Sequence, residues 1–191
     1  MFKIDVLTRM LAGVLIVAQA QAAMPVGAFK ITPGDSKVEF VMRDNRGGFT
    51  GTTDKVEGTV TVRKGDGDGF EAAVDAKIDA RTIVTGSGQR DGQMRRDFLQ
   101  TDRHPFITFR GTVIANQMAL RGSARMRGAL TIKDVTRDVD MPLDVNVSAD
   151  EYRAAGEVVL KLSDYGIPIP RFLIFRAEDP VTVKLQIRVH R

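Results

Sequence analysis

Apolar and polar residues alternate with a period of two along most of the chain, the pattern of strands that bury one face. Val38, Phe40 and Met42 alternate with Lys37, Glu39, Val41 and Arg43, and Val60 and Val62 alternate with Thr59, Thr61 and Arg63. The longest run sets Phe70, Ala72, Val74, Ala76 and Ile78 against Glu71, Ala73, Asp75, Lys77 and Asp79. The same patterning predicts strands over 107–113, 117–124, 125–133, 139–147, 156–162 and 181–189. No repeat or linker interrupts this spacing, which suits one antiparallel barrel or sandwich.

Two stretches depart from the rhythm. Between Ile83 and Pro105 the sequence is charged, with Met94 and Phe98, and likewise Asp91 and Arg95, four residues apart. That predicts a short helix starting near Ser87 and weakened by Gly92. In Tyr165 to Arg176, Pro168 and Pro170 argue against a central strand and Phe172-Leu173-Ile174-Phe175 does not alternate, so a hydrophobic loop is expected.

At the N-terminus, Lys3 and Arg9 precede an apolar run from Met10 to Ala18, with small residues after it. The run is far short of the ~20 residues a spanning helix needs, so it reads as a secretory signal peptide. Residues 1–22 are expected to be the signal, cleaved after Ala20 or Ala22, and 23–191 the mature domain, in a periplasmic or secreted location.

Composition narrows the chemistry. Val 21 and Ile 12 exceed Leu 11, the β-branched excess that pleated sheets favour. With Cys 0 there is no thiolate nucleophile, disulfide or iron–sulfur cluster, and with His 2 no three-histidine metal centre. His104 and His190 have no metal-pair or triad spacing. Lys64 to Gly69 has a superficial calcium-loop look, but Phe70 takes a ligand position and no closing Glu follows, so a hairpin turn is expected. No nucleophile-elbow or phosphate-loop motif occurs. Arg90, Arg95, Arg96, Arg103, Arg121, Arg125 and Arg127 lack interleaved aromatics and read as solvated faces rather than a nucleic-acid platform. Neither metal, cofactor nor catalytic residue is expected.

What remains is an apolar interior. A closed barrel of about eight strands has a lumen that its own side chains fill or that holds a ligand, and the sequence leaves both open. On the alternation, the lumen candidates are Phe40, Met42, Val60, Val62, Val74, Ile78, Ile107, Phe109, Leu130, Ile132, Leu160 and Leu162. Phe172 and Ile174, set between Arg171 and Arg176, are the candidates at its mouth, as a lid, an anionic-membrane contact or a plug.

Several motifs in order resemble the YceI-like family. They are FKITPGDSKVEF (29–40) as an opening strand, Gly48-Phe49 with Val56-Glu57-Gly58 as a second, the stretch from Asp79 to Thr85, and Arg90-Asp91 with Asp97-Phe98 in the helix. His104 to Phe109, the hairpin GALTIKDVTRDVDMPL (128–143), Leu162 to Ile167 and Asp179-Pro180-Val181 complete the match. Phe29, Asp35, Asp134 and Leu99-Gln100 depart from the family pattern. The resemblance implies an all-β, antiparallel up-and-down, lipocalin-like barrel of about eight strands with a short helix between strands. It further implies an exported carrier that holds a polyprenyl lipid, an isoprenoid quinone or polyprenyl phosphate, in its lumen without catalysis. The alternative is a structural or interaction module of the envelope with a filled barrel. Expected partners are the lipid or quinone and, transiently, an anionic membrane surface, with no nucleic acid; monomer and homodimer both stay open.

Overall fold

A computed structural model describes residues 26–190 except 67–68, 116–120, 149, 170 and 173–174, with the backbone alone described at 171, 172 and 175. The expected signal peptide lies outside the described residues. The strands are β1 (Gly27–Ile31), β2 (Lys37–Asp44), β3 (Phe49–Thr53), β4 (Val56–Lys64), β5 (Phe70–Asp79), β6 (Phe106–Ala115), β7 (Arg121–Ile132), β8 (Val135–Val147), β9 (Glu151–Lys161), β10 (Arg171–Phe172) and β11 (Phe175–His190).

All pairings are antiparallel, and the ring closes where β1 meets β11 at Lys30 and His190. Two walls of the ring are bent strand couples. β1 and β2 lie along opposite ends of β11, while β4 and β3 pair with β1 and β2 in turn. The expected single strands over 29–40 and 48–58 are therefore each two. Pro33 lacks an amide donor and Gly34 has φ 99°, which breaks the first couple; the Gly34 amide donates to the Asp54 carbonyl at 2.9 Å and stitches the two bends together. Counting each couple once gives a closed antiparallel barrel of eight strands in up-and-down order, the lipocalin-like class.

The predicted break between Ala124 and Arg125 does not exist. β7 pairs without interruption from Arg121↔Asn146 to Ile132↔Val135, because Ala124 and Met126 keep the inward alternation and no turn residue separates them. The β7–β8 turn is Lys133-Asp134, with Lys133 at φ 56°. Lys64 pairs with Phe70 across the β4–β5 hairpin, and its loop, from Gly65 to Gly69, is closed by the Gly65 amide on the Gly69 carbonyl at 3.0 Å. The stretch after Pro170 is also more regular than expected. Arg171 pairs with Arg176 and Phe172 with Phe175, a hairpin extending β11, since both prolines precede the ladder and remove none of its donors.

The barrel has a closed end and a mouth. At the closed end Phe29, Val62, Phe70, Ala115, Val147, Tyr152 and Val189 are buried together, with Phe29 and Tyr152 edge to face at 5.1 Å. The mouth is roofed by the segment between β5 and β6. There a 3-10 turn, Ala80–Thr82, leads to α1 (Gly88–Gln93), which continues as a π-helical turn, Met94–Leu99. Ser87 caps α1 as predicted, its hydroxyl accepting from the Arg90 amide. Ala80, Ile83 and Met94 are buried and pack against Phe40, Leu99 and Ile107 at the rim. A second short turn, Leu162–Tyr165, buries Tyr165 and is followed by buried Ile167.

Candidate functional site

Inward residues of every wall line a bore of two adjoining apolar chambers. The deep one has a volume of about 170 Å³ and the mouth one about 280 Å³. They share a waist ring of Val38, Ile78, Ile107, Leu130, Leu160 and Val183, one residue from each of six strands. Together the chambers reach the lower part of the ~300–1,000 Å³ span of small-molecule pockets. The ring residues are only half buried although they point inward, while the closed end of the same strands is packed. Solvent-sized space therefore runs down the axis.

All twelve lumen candidates lie on these walls. Val60, Val62, Val74 and Phe109 face the deep chamber; Phe40, Met42, Ile132 and Leu162 face the mouth chamber; Ile78, Ile107, Leu130 and Leu160 belong to both. The side chain of Phe172 and the whole of Ile174 fall outside the described residues.

Glycines make room for the aromatic walls. A Cβ on Gly111 or Gly128, paired across β6 and β7, would come within 2.7 or 2.8 Å of the Phe109 ring, so both must be bare for the ring to lie against the wall. Gly51 does the same for Phe40, where a Cβ would stand 2.2 Å from a ring carbon. Gly51→Ala is expected to swing the Phe40 ring into the mouth chamber, because only that side is empty. Apolar-probe capacity should fall about tenfold, as a ~1.4 kcal/mol loss, while the urea midpoint moves little. Fluorescent-probe titration beside urea melts checks both.

Polar residues line both chambers, Thr108, Tyr152 and Arg153 in the deep one, and are more numerous toward the mouth. Thr53, Arg90, Gln93, Lys161 and Tyr165 line that chamber, and no Asp or Glu does. Arg90 was expected on a solvated face; instead its Nε donates to Thr85 Oγ1 and its Nη2 to the Thr85 carbonyl, each at 2.8 Å, while the guanidinium stacks 4.1 Å over the Phe49 ring. Asp91 does not pair with Arg95 as the four-residue spacing suggests. It is buried, and its Oδ1 accepts from the Thr85 amide at 2.8 Å and the Thr85 hydroxyl at 2.5 Å. Arg95 turns inward too, donating from Nη2 to the Ile83 carbonyl at 3.0 Å. The mouth cation was missed in the sequence because a lone Arg on a weak helix looks like any solvated side chain; the Arg90-Asp91 pair was visible only as a family motif.

The remaining candidates behave otherwise. Arg125 and Arg127 flank Asp140 on the outer face, holding its carboxyl below the usual range chiefly through the hydrogen bond from Arg125. His104 Nδ1 stands 3.2 Å from Asp134 and His190 Nε2 stands 3.7 Å from Glu151. Among the described residues no three potential ligands are grouped as a metal site.

Asp179 ties β11 to the turn after β9, accepting from the Ser163 amide at 2.9 Å and the Ser163 hydroxyl at 2.6 Å. These bonds, the hydroxyl's first, lower its pKa. A group depressed in the folded state stabilises above its unfolded pKa, about 3.9, and loses that contribution as pH falls through the lower folded value. The Leu162–Tyr165 turn is therefore expected to loosen below about pH 4, and Asp179→Asn to remove this acid dependence. NMR of the Ser163 amide against pH checks it.

A closed end, an apolar bore and a more polar mouth define a closed antiparallel β-barrel of the lipocalin-like class with a cavity along its axis. The chain belongs to the YceI-like domain family, whose model matches residues 29–189. Among solved structures it is similar to Burkholderia cenocepacia BcnA, at 19% identity and TM-score 0.69 over 83% of this chain and 98% of that one. It is also similar to a polyisoprenoid binding domain from Saccharophagus degradans implicated in plant cell wall breakdown, at 16% identity and TM-score 0.68 over 87% and 99%. The Campylobacter jejuni YCEI protein matches at 16% identity and TM-score 0.53 over 69% and 80%. A search of curated proteins found no match.

Proposed function

We propose that the mature protein is a periplasmic binding or carrier protein that holds the tail of a polyprenyl lipid, a quinone or a polyprenyl phosphate, in its bore. The observation that carries this reading is the half-buried waist ring, whose apolar side chains face space rather than one another. The structural likeness to the Saccharophagus degradans polyisoprenoid binding domain supports the same ligand class. Location in the periplasm rests on the signal-like N-terminus alone.

The driving force is apolar burial. At roughly 25 cal/mol per Å², a prenyl tail covering a few hundred Å² of wall gains several kcal/mol before ordering costs. A flexible isoprenoid tail suits a bore made of two adjoining apolar chambers. In this reading the protein contributes no reactive side chain, and any redox chemistry belongs to the ligand.

Delipidated protein titrated with a prenyl quinone should bind it saturably, one per chain. Weak uptake that never saturates would overturn the proposal in favour of an envelope module with a filled barrel.

A further inference from the structure

We infer that the barrel opens sideways: the seam between β8 and β9 is a gate, stoppered by the turn at 162–167, through which the prenyl tail enters and leaves the bore. The inference rests on the lipid-binding reading and adds the route that its ligand takes.

The wall is not sheet all the way round. β8 pairs with β7 along almost its whole length, and β9 with β11, but β8 and β9 pair with each other only from Leu143↔Gly156 to Val147↔Tyr152. Toward the mouth their facing edges, 135–142 and 157–161, have no ladder between them. The ladder stops at Pro142, which has no amide to donate. Gly156 marks the last close approach, since a Cβ there would stand 2.5 Å from the Pro142 carbonyl oxygen. The lips of the seam are apolar: Val139 and Met141 on β8 and Val158 and Leu160 on β9 all line the deep chamber.

The turn after β9 takes the missing place in the wall. β8 lends no residue to the mouth chamber, and Leu162, Tyr165 and Ile167 line it instead. Tyr165 and Ile167 are buried, the turn touches β8, β9 and β11, and Arg137 of β8 lies within electrostatic reach of the Tyr165 hydroxyl. This stopper is lightly tied. Among the described residues its hydrogen bonds to the rest of the barrel all run to Asp179 on β11, chiefly from the Ser163 hydroxyl and amide. The roof over the mouth is bolted by contrast. Asp91 and Arg90 both hold Thr85, Arg95 holds the Ile83 carbonyl, the Thr53 and Thr82 hydroxyls meet at 2.6 Å, and Val84 pairs with Thr52. Lifting the roof breaks all of these together, whereas swinging the turn out breaks its Asp179 bonds and exposes Tyr165 and Ile167. The side is therefore the easier way in, and it admits a tail broadside while the polar head stays in solvent.

Each route can be locked in turn. The chain has no cysteine, so Ser163→Cys with Asp179→Cys ties the turn to β11, and Thr53→Cys with Thr82→Cys ties the roof to β3, by a disulfide or a short bis-alkylating reagent. Uptake and release of a prenyl quinone are followed by stopped-flow quenching of Tyr152 and Tyr165, the chain's only tyrosines, which both line the bore. Closing the seam should slow uptake and release alike, by about tenfold or more, with affinity kept, because a gate sets a barrier and not a binding energy. Closing the roof should leave both rates nearly unchanged, and reducing the seam disulfide should restore the parent's rates. Rates slowed by the roof lock and not by the seam lock, or by neither, would overturn the gate while saturable binding keeps the lipid reading. A seam lock that lowers affinity without slowing release would make the turn a ligand contact and overturn the gate as well. No saturable binding by the parent would take down the lipid reading and the gate together. Should the seam cysteine pair fold poorly, Asp179→Ala, which removes the latch, replaces it: both rates should rise about tenfold, and rates equal to the parent's would overturn the gate.

Discussion

Phe29→Ala is expected to cost about 3–5 kcal/mol, while Leu130→Ala, on the wall of the same barrel, should cost less than about 2 kcal/mol. Phe29 is 4% exposed in the closed end, edge to face with Tyr152, so truncating it opens a new cavity and discards a ring contact. Leu130 borders both chambers and already faces space on one side, so its truncation enlarges an existing void and loses fewer contacts. Urea unfolding with the slope unchanged between variants measures both costs. Equal, large losses at the two positions would mean that the waist is packed like the closed end.

The second large effect is on binding. Val183 lies in the waist ring, paired with Phe40 on one side and Val158 on the other. Val183→Phe places a ring where the chambers join. It is expected to weaken prenyl-ligand binding by at least about tenfold, some 1.4 kcal/mol. Stability should stay within about 1 kcal/mol, because the added atoms enter void instead of displacing neighbours; in a filled barrel the same change would cost about 1–3 kcal/mol from overpacking. Calorimetric titration paired with urea melts separates the two outcomes.

The inward face was legible because a period of two leaves little freedom once one face must be buried. From Phe70 to Ile78 the alternation assigns each side chain to lumen or solvent, and a slip of one residue would have put Glu71 and Asp75 inside. Bends were less legible. Pro33-Gly34 marked a corner, but the stitch from Gly34 to Asp54 joins residues far apart in sequence and leaves no local pattern. The division before Arg125 has no local signal behind it: Ala124 and Met126 both face inward, and Arg125 and Arg127 face Asp140 across the outer surface.

The polar mouth was the least legible part, for a related reason. Arg90 reaches the bore through the order of three short elements, and its partners Thr85 and Phe49 come from a loop and a distant strand. Apolar walls announce themselves by repetition, whereas a single cation does not. Hollowness was equally hidden, since Phe109 and Phe40 fill or line a lumen depending on whether Gly111, Gly128 and Gly51 let their rings lie flat.

Native mass spectrometry of the protein purified from its own host, followed by organic extraction, tests the central claim most directly. The account predicts one tightly held prenyl lipid per chain, released on denaturation and carried by an isoprenoid tail. A barrel that is reproducibly empty and that, once purified, takes up no added prenyl lipid saturably would contradict it.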